Sequence, residues 1–468
     1  MKIAASLRIA LLIVALSTLA SVVRSTPDAA PRTAAFAVHE WGTFTSIQGS
    51  DGNPIPWNPF STASDLPGFV FDRRNPTHNR DVLAGKGAAF LLLGLKDGRP
   101  WLQRMETPVI YFHSDKPLTV DVHVRFPDGV LTEWFPQVSG FGPAPAIAGV
   151  LPGSSDSHLR WNSVRVVPGG TRAAAPSDTP LPGDSRPSHY FAARSGSDAI
   201  AEATQPFAPE VAPQRDRFLF YRGAGDFAAP LRAGVDPDDR TLRLSNLGPE
   251  PIGPLFIVRV RKGATAFDSI SSLAAGREAS VPIPEVAEPS GAGTLGAAMR
   301  DSLTRAGLHR AEADAMIQTW NESWFGEGGV RVLYLLPEAW TDRVLPLELS
   351  PAPKSVVRVM VGRAELFTRA QESQVAEWIA DYTSGNTTWA VASLRSLDLG
   401  RFLEPAVTRS AQLVRAARMG VQLSCRSLPV EDGAHRELPS DEEWLGQIAR
   451  LKQDLSASIA TRPLALGR

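Results

Sequence analysis

The chain has 468 residues, of which 43% are hydrophobic and 21% charged, a composition typical of a folded globular protein. Its 48 Lys and Arg residues nearly balance 49 Asp and Glu residues, and a formal net charge of -1 argues against a dedicated nucleic-acid-binding protein. The single cysteine, Cys425, excludes an intrachain disulfide and a multi-cysteine metal site.

The first 25 residues have the layout of a secretory signal peptide. Lys2 and Arg8 give a positive start, an apolar run covers residues 9–20, and small residues follow with plausible cleavage after Ala20 or Ser25. The apolar run is shorter than the about 20 residues that span a bilayer, so we expect no stable membrane span after cleavage. An uncleaved N-terminal anchor is the alternative. The segment predicts an exported protein, periplasmic or extracellular.

Residues 26–290 read as a β-rich region. Residues 36–47 are rich in aromatic and β-branched side chains and end at a glycine-containing turn, which is typical of a strand. A Pro- and Gly-rich stretch at residues 169–187 predicts a long loop. Many short strands with polar turns favour an antiparallel, sandwich-like region. Further strands are predicted at residues 109–113, 118–126, 130–135, 163–167, 189–193, 217–222, 241–246 and 255–261.

Strands 109–113 and 118–126 flank a four-residue polar connection, which predicts a hairpin. In a regular register Tyr111 faces Val120, and Glu106 forms an opposite-charge cross-strand pair with Arg125.

From residue 291 the spacing of apolar residues changes from that of strands to that of helices. Residues 291–468 are therefore predicted to form an α+β and helical region. Helices are expected at residues 295–306 and 311–324, and Met316, Trp320 and Trp324 share one helical face that is typical of core packing. Glu312 stands at the capping-box position, but His309 occupies the place that Ser or Thr usually takes.

Two more strands, at residues 330–336 and 355–361, precede helices at residues 369–382, 406–419 and 441–458. The predicted fold class is therefore α+β. A β-rich, antiparallel, sandwich-like N-terminal region precedes an α+β and helical C-terminal region.

Three stretches carry a resemblance to a known family: HEWGTFT at residues 39–45, RMETPVIYF at 104–112 running on to TEWFP at 132–136, and NESWFGE at 321–327. Through them the chain resembles an uncharacterised family of exported bacterial proteins. The resemblance implies export and a shared architecture. It brings no activity, so it assigns no catalytic residue.

Adjacent residues of a strand point to opposite faces, so His39 and Glu40 are expected on different sides of the sheet. Glu40 shares its side with apolar neighbours. A buried carboxylate needs a partner or has a raised pKa, and such groups are frequent in active sites. The structural alternative is a Glu40 paired with an arginine or with loop amides.

A set of carboxylates predicts candidate catalytic residues: Glu40, Glu106 and Glu133, with Glu322 and Glu327 as further members. Glycosidic hydrolysis uses two carboxyl groups about 5–5.5 Å or 6.5–9.5 Å apart. In that reaction Glu40 would be the acid and Glu133 its partner. Aromatic residues beside several of these acids fit sugar stacking, and they equally fit the edge of a sandwich core.

His39 is also the candidate metal ligand, together with His113, His123 and nearby acids. A catalytic zinc site needs about three protein ligands. In the predicted hairpin His113 and His123 point to opposite faces and do not converge. Histidines with ordinary hydrogen-bond partners are the alternative.

Other motifs are weak or absent. The chain contains no GxxxxGK[ST], HExxH or GxSxG sequence, and its GxGxxG match at Gly291 lacks a preceding central strand.

Three functions therefore stay open. The leading hypothesis is a non-enzymatic, exported, β-rich protein that binds an extracytoplasmic ligand such as a glycan, an envelope protein or a small molecule. The alternative is a carboxylate-dependent hydrolase acting on a glycan, and the third is a metal-dependent enzyme centred on His39. Whether the protein is an enzyme, and with which cofactor, is left open by the sequence.

Overall fold

A computed structural model describes residues 36–60, 66–79, 100–144, 156–169, 188–206, 209, 211–286, 290–418 and 440–457. The predicted signal peptide, Cys425 and residues 170–187 of the predicted long loop lie outside the described residues. Within the described ranges, no helix has both the length and the apolar character that crossing a bilayer requires.

The strands of the described residues form three sheets. In chain order they are β1 (Phe36–Gln48), β2 (Phe71–Asp72), β3 (Asn75–Asn79), β4 (Gln103–Ser114), β5 (Leu118–Phe126), β6 (Gly129–Phe135), β7 (Gly140–Gly142), β8 (Ser157–Val167), β9 (Ile200–Ala203), β10 (Gln214–Asp216), β11 (Leu219–Gly225), β12 (Leu231–Val235), β13 (Thr241–Asn246), β14 (Leu255–Arg261), β15 (Ala264–Ile270), β16 (Glu278–Pro282), β17 (Gly329–Leu335), β18 (Leu347–Ser350) and β19 (Ser355–Leu366).

The α-helices lie mainly in the C-terminal part of the chain. They are α1 (His189–Ala192), α2 (Ala292–Arg305), α3 (Arg310–Phe325), α4 (Glu338–Val344), α5 (Arg369–Thr383), α6 (Thr387–Ser396), α7 (Leu403–Arg418) and α8 (Asp441–Ala457). Short 3-10 helices cover Ala193–Gly196 and Gly400–Phe402. The α+β fold class predicted from the sequence is confirmed.

The largest sheet has ten strands in the order β15-β14-β17-β19-β1-β4-β11-β6-β2-β3. Near its centre β1 pairs parallel with β19 and antiparallel with β4. Nearly every residue of β1 and most of β4 are buried, as expected for central strands covered on both faces. The sheet contains strands from both sides of the predicted domain boundary after residue 290, and the two-region division stays a prediction.

A second sheet has the order β10-β9-β8-β5-β18, with β7 paired to β8. β5 alternates as the sequence predicts, with Val120, Val122 and Val124 buried and the residues between them more exposed. Phe126 of β5 contacts Phe44 of β1 with ring centres 6.4 Å apart, so buried faces of the two sheets meet. β12, β13 and β16 form a third, small sheet.

The predicted hairpin between residues 109–113 and 118–126 is wrong. β4 pairs with β1 and β11 in the large sheet, whereas β5 pairs with β8 and β18 in the second sheet. Because β4 is hydrogen-bonded to a strand on each side, it has no free edge with which β5 could pair. The connection between them therefore leads the chain from the large sheet into the second sheet. The Glu106–Arg125 pair is therefore also wrong: Arg125 bonds Asp156 instead.

The helices cover two parts of this framework. α2 and α3 contact each other, and buried side chains of both belong to the main core. Helices α5 to α8 build a second core that includes Ile47 and Trp57. The strand predicted at residues 189–193 is wrong, because Ser188 caps a helical turn there by accepting a hydrogen bond from the Tyr190 N–H.

Candidate metal centre

Two neighbouring strands of the large sheet bring His39 and His113 together. His39 of β1 lies opposite Tyr111 of β4, and His113 follows two residues later on the same face. The two imidazole ring centres are 4.5 Å apart. A pair of central strands therefore holds these two histidine side chains next to each other.

The start of α3 supplies the other two side chains. His309 is the N-cap residue, and its backbone N–H donates a 2.7 Å hydrogen bond to Glu312 Oε2 in a capping box. The preceding Gly307 has φ +112°, and a Cβ at this position would lie 3.0 Å from Val357 Cγ1. Val357 of β19 pairs with His39 of β1. Because Gly307 approaches Val357 so closely, the glycine turn places the N-terminus of α3 next to His39.

The three imidazoles form a triangle around one carboxylate. His309 lies 4.5 Å from His39 and 4.5 Å from His113, measured between ring centres. Glu312 Oε2 is 2.8 Å from His39 Nδ1, and Glu312 Oε1 is 2.8 Å from His113 Nε2. One ligand atom of each residue lies within 4.8 Å of the others. We call these four residues the histidine cluster.

The charge states in the cluster suit a cation. Burial raises the pKa of Glu312, but hydrogen bonds from His113 and His39 and the His309 N–H outweigh it and bring this pKa to about 2. Burial lowers the pKa of His309, and His113 and His39 lower it further against the attraction of Glu312. At neutral pH the carboxylate is thus ionised and the His309 lone pair is favoured.

Exposure is uneven across the cluster. His39 and Glu312 are buried, His113 is partly exposed, and His309 is exposed. One side of the cluster therefore faces solvent while the other lies against the sheet. Imidazole nitrogens and carboxylate oxygens are ligands of zinc, iron, nickel and manganese ions. Across the described ranges this is the one group of three or more His, Cys, Asp or Glu residues that converges in this way.

The other histidine considered from the sequence, His123, lies elsewhere. Its ring hydrogen-bonds Glu348 at 3.2 Å and stands 5.6 Å from the ring of His158. The prediction that His113 and His123 point to opposite faces assumed the hairpin, which does not form: His113 lies in the large sheet, His123 in the second sheet, and His113 converges with His39.

Glu40 forms a closed set of buried contacts. Its side chain is 0% exposed, Arg358 Nε donates to Oε2 at 2.6 Å, and the Tyr221 hydroxyl donates to Oε1. Arg358 also bonds Asp342 and the carbonyl of Leu345. This is the arginine-paired alternative considered from the sequence.

Glu106 is held by several cations. Arg401 forms an ion pair with it, Arg104 Nε lies 3.3 Å from Oε1, and the Thr45 hydroxyl donates at 2.8 Å. Burial raises the pKa of Glu106, but Arg401, Arg104 and Arg222 outweigh burial and hold this pKa well below its usual range. Glu106 is therefore ionised at neutral pH, unlike a general acid, which needs a raised pKa.

Glu133 is buried and accepts a hydrogen bond from the Thr132 hydroxyl. It lies on β6 opposite Arg222 of β11. Glu322 is exposed, whereas Glu327 forms a 2.8 Å ion pair with Arg363. The catalytic roles of Glu40, Glu106 and Glu133 stay predictions.

Buried arginines and glutamates beside Glu106 form a second polar assembly. Glu365 Oε2 forms ion pairs with Arg331 Nε at 3.0 Å and with Arg363 Nη2 at 2.8 Å. Arg363 also forms an ion pair with Glu327. Two ion-paired groups lie close enough to interact electrostatically, since Glu327 and Glu365 raise the pKa of Arg401, and together we call them the arginine–glutamate network: Arg104, Glu106 and Arg401 in one group, and Glu327, Arg331, Arg363 and Glu365 in the other.

Sequence reasoning found His39 and considered His113, but it missed His309 and Glu312 as partners of these residues. The available signal was the capping box with a histidine in the place of Ser or Thr. That substitution gives the helix start an imidazole beside a carboxylate, which is a ligand pair.

No protein-family model matches the chain, and no curated protein matches it. Among solved structures, the chain is similar to the Fcho1 Mu homology domain of Danio rerio with bound Eps15 peptide. The identity is 7% and the TM-score 0.26, over 72% of this chain and 99% of that chain. A likeness at this level carries no argument about function. The family resemblance stays a prediction.

Proposed function

We propose that the protein is a metal-dependent enzyme that binds one divalent transition-metal ion through His39, His113, His309 and Glu312. The observation that carries the proposal is the triangle of imidazoles, with ring centres 4.5 Å apart on every side and a buried carboxylate within reach. The four side chains come from two strands and a helix start, so tertiary structure alone brings them together.

The alternative to a metal is a hydrogen-bonded polar cluster. In that case His39 and His113 must both carry a proton on the nitrogen that faces Glu312, and one carboxylate then serves two donor rings and a backbone N–H. A third imidazole packs 4.5 Å from both rings. A cation at the centre satisfies the four ligand atoms together, and it needs neutral imidazoles and an ionised carboxylate.

The exposure of His309 and His113 favours a catalytic over a structural centre. Structural zinc sites are closed by their protein ligands, while catalytic sites keep a position for water or substrate. When bound, the ion supplies Lewis-acid chemistry or activates a coordinated water. The chain supplies the ligands, and Glu312 also fixes the helix start from which His309 approaches.

We retain export to the periplasm or the extracellular space as a further proposal, supported by the composition of residues 1–25. Binding of a glycan or an envelope protein and carboxylate-dependent glycan hydrolysis rest on the sequence patterns described above. The ion pairs of Glu40 and Glu106 make the metal centre the better-supported chemistry.

The test is metal analysis of untagged protein after exposure to Zn²⁺, Fe²⁺, Co²⁺, Ni²⁺ and Mn²⁺ in turn, followed by removal of free ions. We expect one tightly bound ion per chain for at least one metal, and its loss in His113→Ala. His123→Ala is the matched control, because His123 is also a strand histidine bonded to a carboxylate. A folded wild-type protein that retains none of these ions contradicts the proposal.

A further inference from the structure

We infer that the ion is six-coordinate, with two adjacent open positions, and that it takes a small anionic molecule that chelates through two neighbouring oxygen atoms. This inference rests on the proposed metal centre and specifies its substrate class.

The ring spacing gives the angle between ligands. A metal–nitrogen bond of about 2.1 Å places each ring centre about 3.2 Å from the ion. At that distance, the observed ring separations of 4.5 Å correspond to angles of about 90° at the ion. Tetrahedral angles would need ring centres about 5.2 Å apart. The three imidazoles therefore have the spacing of one face of an octahedron.

Three mutually perpendicular nitrogens leave the opposite face of the octahedron, and Glu312 takes one position of that face. The two positions that remain are adjacent by geometry, since all positions of one octahedral face are neighbours. A molecule with oxygens on adjacent carbons, such as a 2-hydroxycarboxylate, fills two adjacent positions in a five-membered chelate ring. The solvent-facing side at His113 and His309 gives it access.

Charge favours an anion among such chelates. A divalent ion with three neutral imidazoles and one carboxylate leaves a net charge of +1 at the centre. A monoanionic chelate neutralises this charge without the cost of leaving an unpaired charge at a half-buried site.

The experiment uses Co²⁺ as the metal and a matched pair of probes, lactate and propanoate. These two anions have the same charge and carbon skeleton and differ only in the hydroxyl beside the carboxylate. We expect the Co²⁺ protein to have the weak visible absorption of a six-coordinate ion. Lactate should shift that absorption and bind at least about tenfold more tightly than propanoate, because its second oxygen binds intramolecularly. His123→Ala should behave like the wild type.

Each failure has a different meaning. If none of the five metals, Co²⁺ included, is retained, the proposed metal centre falls and the present inference falls with it. If another of these metals is retained but Co²⁺ is not, lactate and propanoate are compared on the protein loaded with that metal, and equal binding of the two overturns the chelating substrate class. If Co²⁺ binds with the intense absorption of a tetrahedral ion, the metal centre stands and six-coordination is overturned. If the absorption is weak but lactate binds no better than propanoate, the chelating substrate class is overturned.

Discussion

The histidine cluster and the arginine–glutamate network are two polar assemblies that share strand β4, but they balance charge differently. In the network each carboxylate faces at least one guanidinium, as Glu106 does with Arg401 and Arg104. In the cluster one carboxylate faces three imidazoles, whose charge is not permanent. Arginine stays protonated in proteins, whereas histidine is neutral or charged near physiological pH.

This difference is the basis for proposing a structural role for the network and a functional one for the cluster. In the network, Thr45 and Arg401 supply hydrogen bonds to the oxygens of Glu106 from within the protein. The cluster gathers one ligand atom from each of three imidazoles and one carboxylate within 4.8 Å of one another, and in the proposed function a cation completes it. Two assemblies that share β4 thus respond to different perturbations, which gives the following predictions.

The largest effect is expected for Glu106→Gln in the network. Removing one partner of a buried ion pair leaves an uncompensated charge and costs about 3–5 kcal/mol. The free energy of unfolding, measured with urea, should fall by that amount at neutral pH, while metal binding by the folded fraction stays unchanged. Glu285→Gln, at an exposed glutamate, is the matched control and should be nearly neutral. A loss of metal with unchanged stability would reverse the two roles.

The same variant predicts a pH dependence. Glu106 has a folded-state pKa below its ordinary value of 4.5, so its stabilisation is present above that value and is lost as the pH falls below it. The difference in unfolding free energy between wild type and Glu106→Gln should therefore be greatest at neutral pH and shrink below about pH 4.5. Urea titrations from pH 7 to 3 measure it, and a pH-independent difference would contradict the ion-pair explanation.

A smaller effect is expected when metal is added to the histidine cluster. An ion that binds only the folded state, at a free concentration one hundred times its Kd, stabilises the protein by about 2.7 kcal/mol. Wild type and His123→Ala should show this gain in thermal unfolding. His113→Ala should lose this gain, and in the presence of a chelator it should differ from the wild type only by its lost hydrogen bond to Glu312, about 1.5–3 kcal/mol. An equal gain in His113→Ala would place the bound ion elsewhere.

The smallest of these effects is expected for Gly307→Ala. A side chain at φ +112° with Val357 Cγ1 3.0 Å from its Cβ is strained, at a cost of about 1–3 kcal/mol. Because His309 follows two residues later, metal affinity should also fall. Gly263→Ala is the control, since it also has positive φ but nothing lies near its Cβ. If both variants keep full metal affinity, the glycine turn does not position His309.

Local patterns predicted much of the fold. The sequence placed β5 at its observed bounds, β1 to within one residue, and α3 with its capping box, because these features depend on alternation, helical period and neighbouring polar residues. The hairpin failed because strand pairing depends on which edges are free. That information comes from the remote partners of β4.

The metal centre shows the same limit. His39 could be suspected from its strand, but its partners at the start of α3 lie far along the chain, and no spacing rule connects them. Glu40 was expected to be either catalytic or arginine-paired, and the choice needed Arg358 from β19, a strand that joins β1 in parallel. Local patterns in a single sequence do not show which residues and strands far apart in the chain will pair.

The separation of His39 and Glu312 by 273 positions has a consequence for how the proposed ion would be acquired. During synthesis His39 leaves the ribosome long before Glu312 exists, so no complete set of ligands is present until two thirds of the 468 residues have been joined and α3 lies on the sheet. The competition among metals is therefore decided where folding ends. If the chain is exported before it folds, the ion is chosen from the metals outside the cytoplasm, and the compartment becomes part of the selectivity of the site.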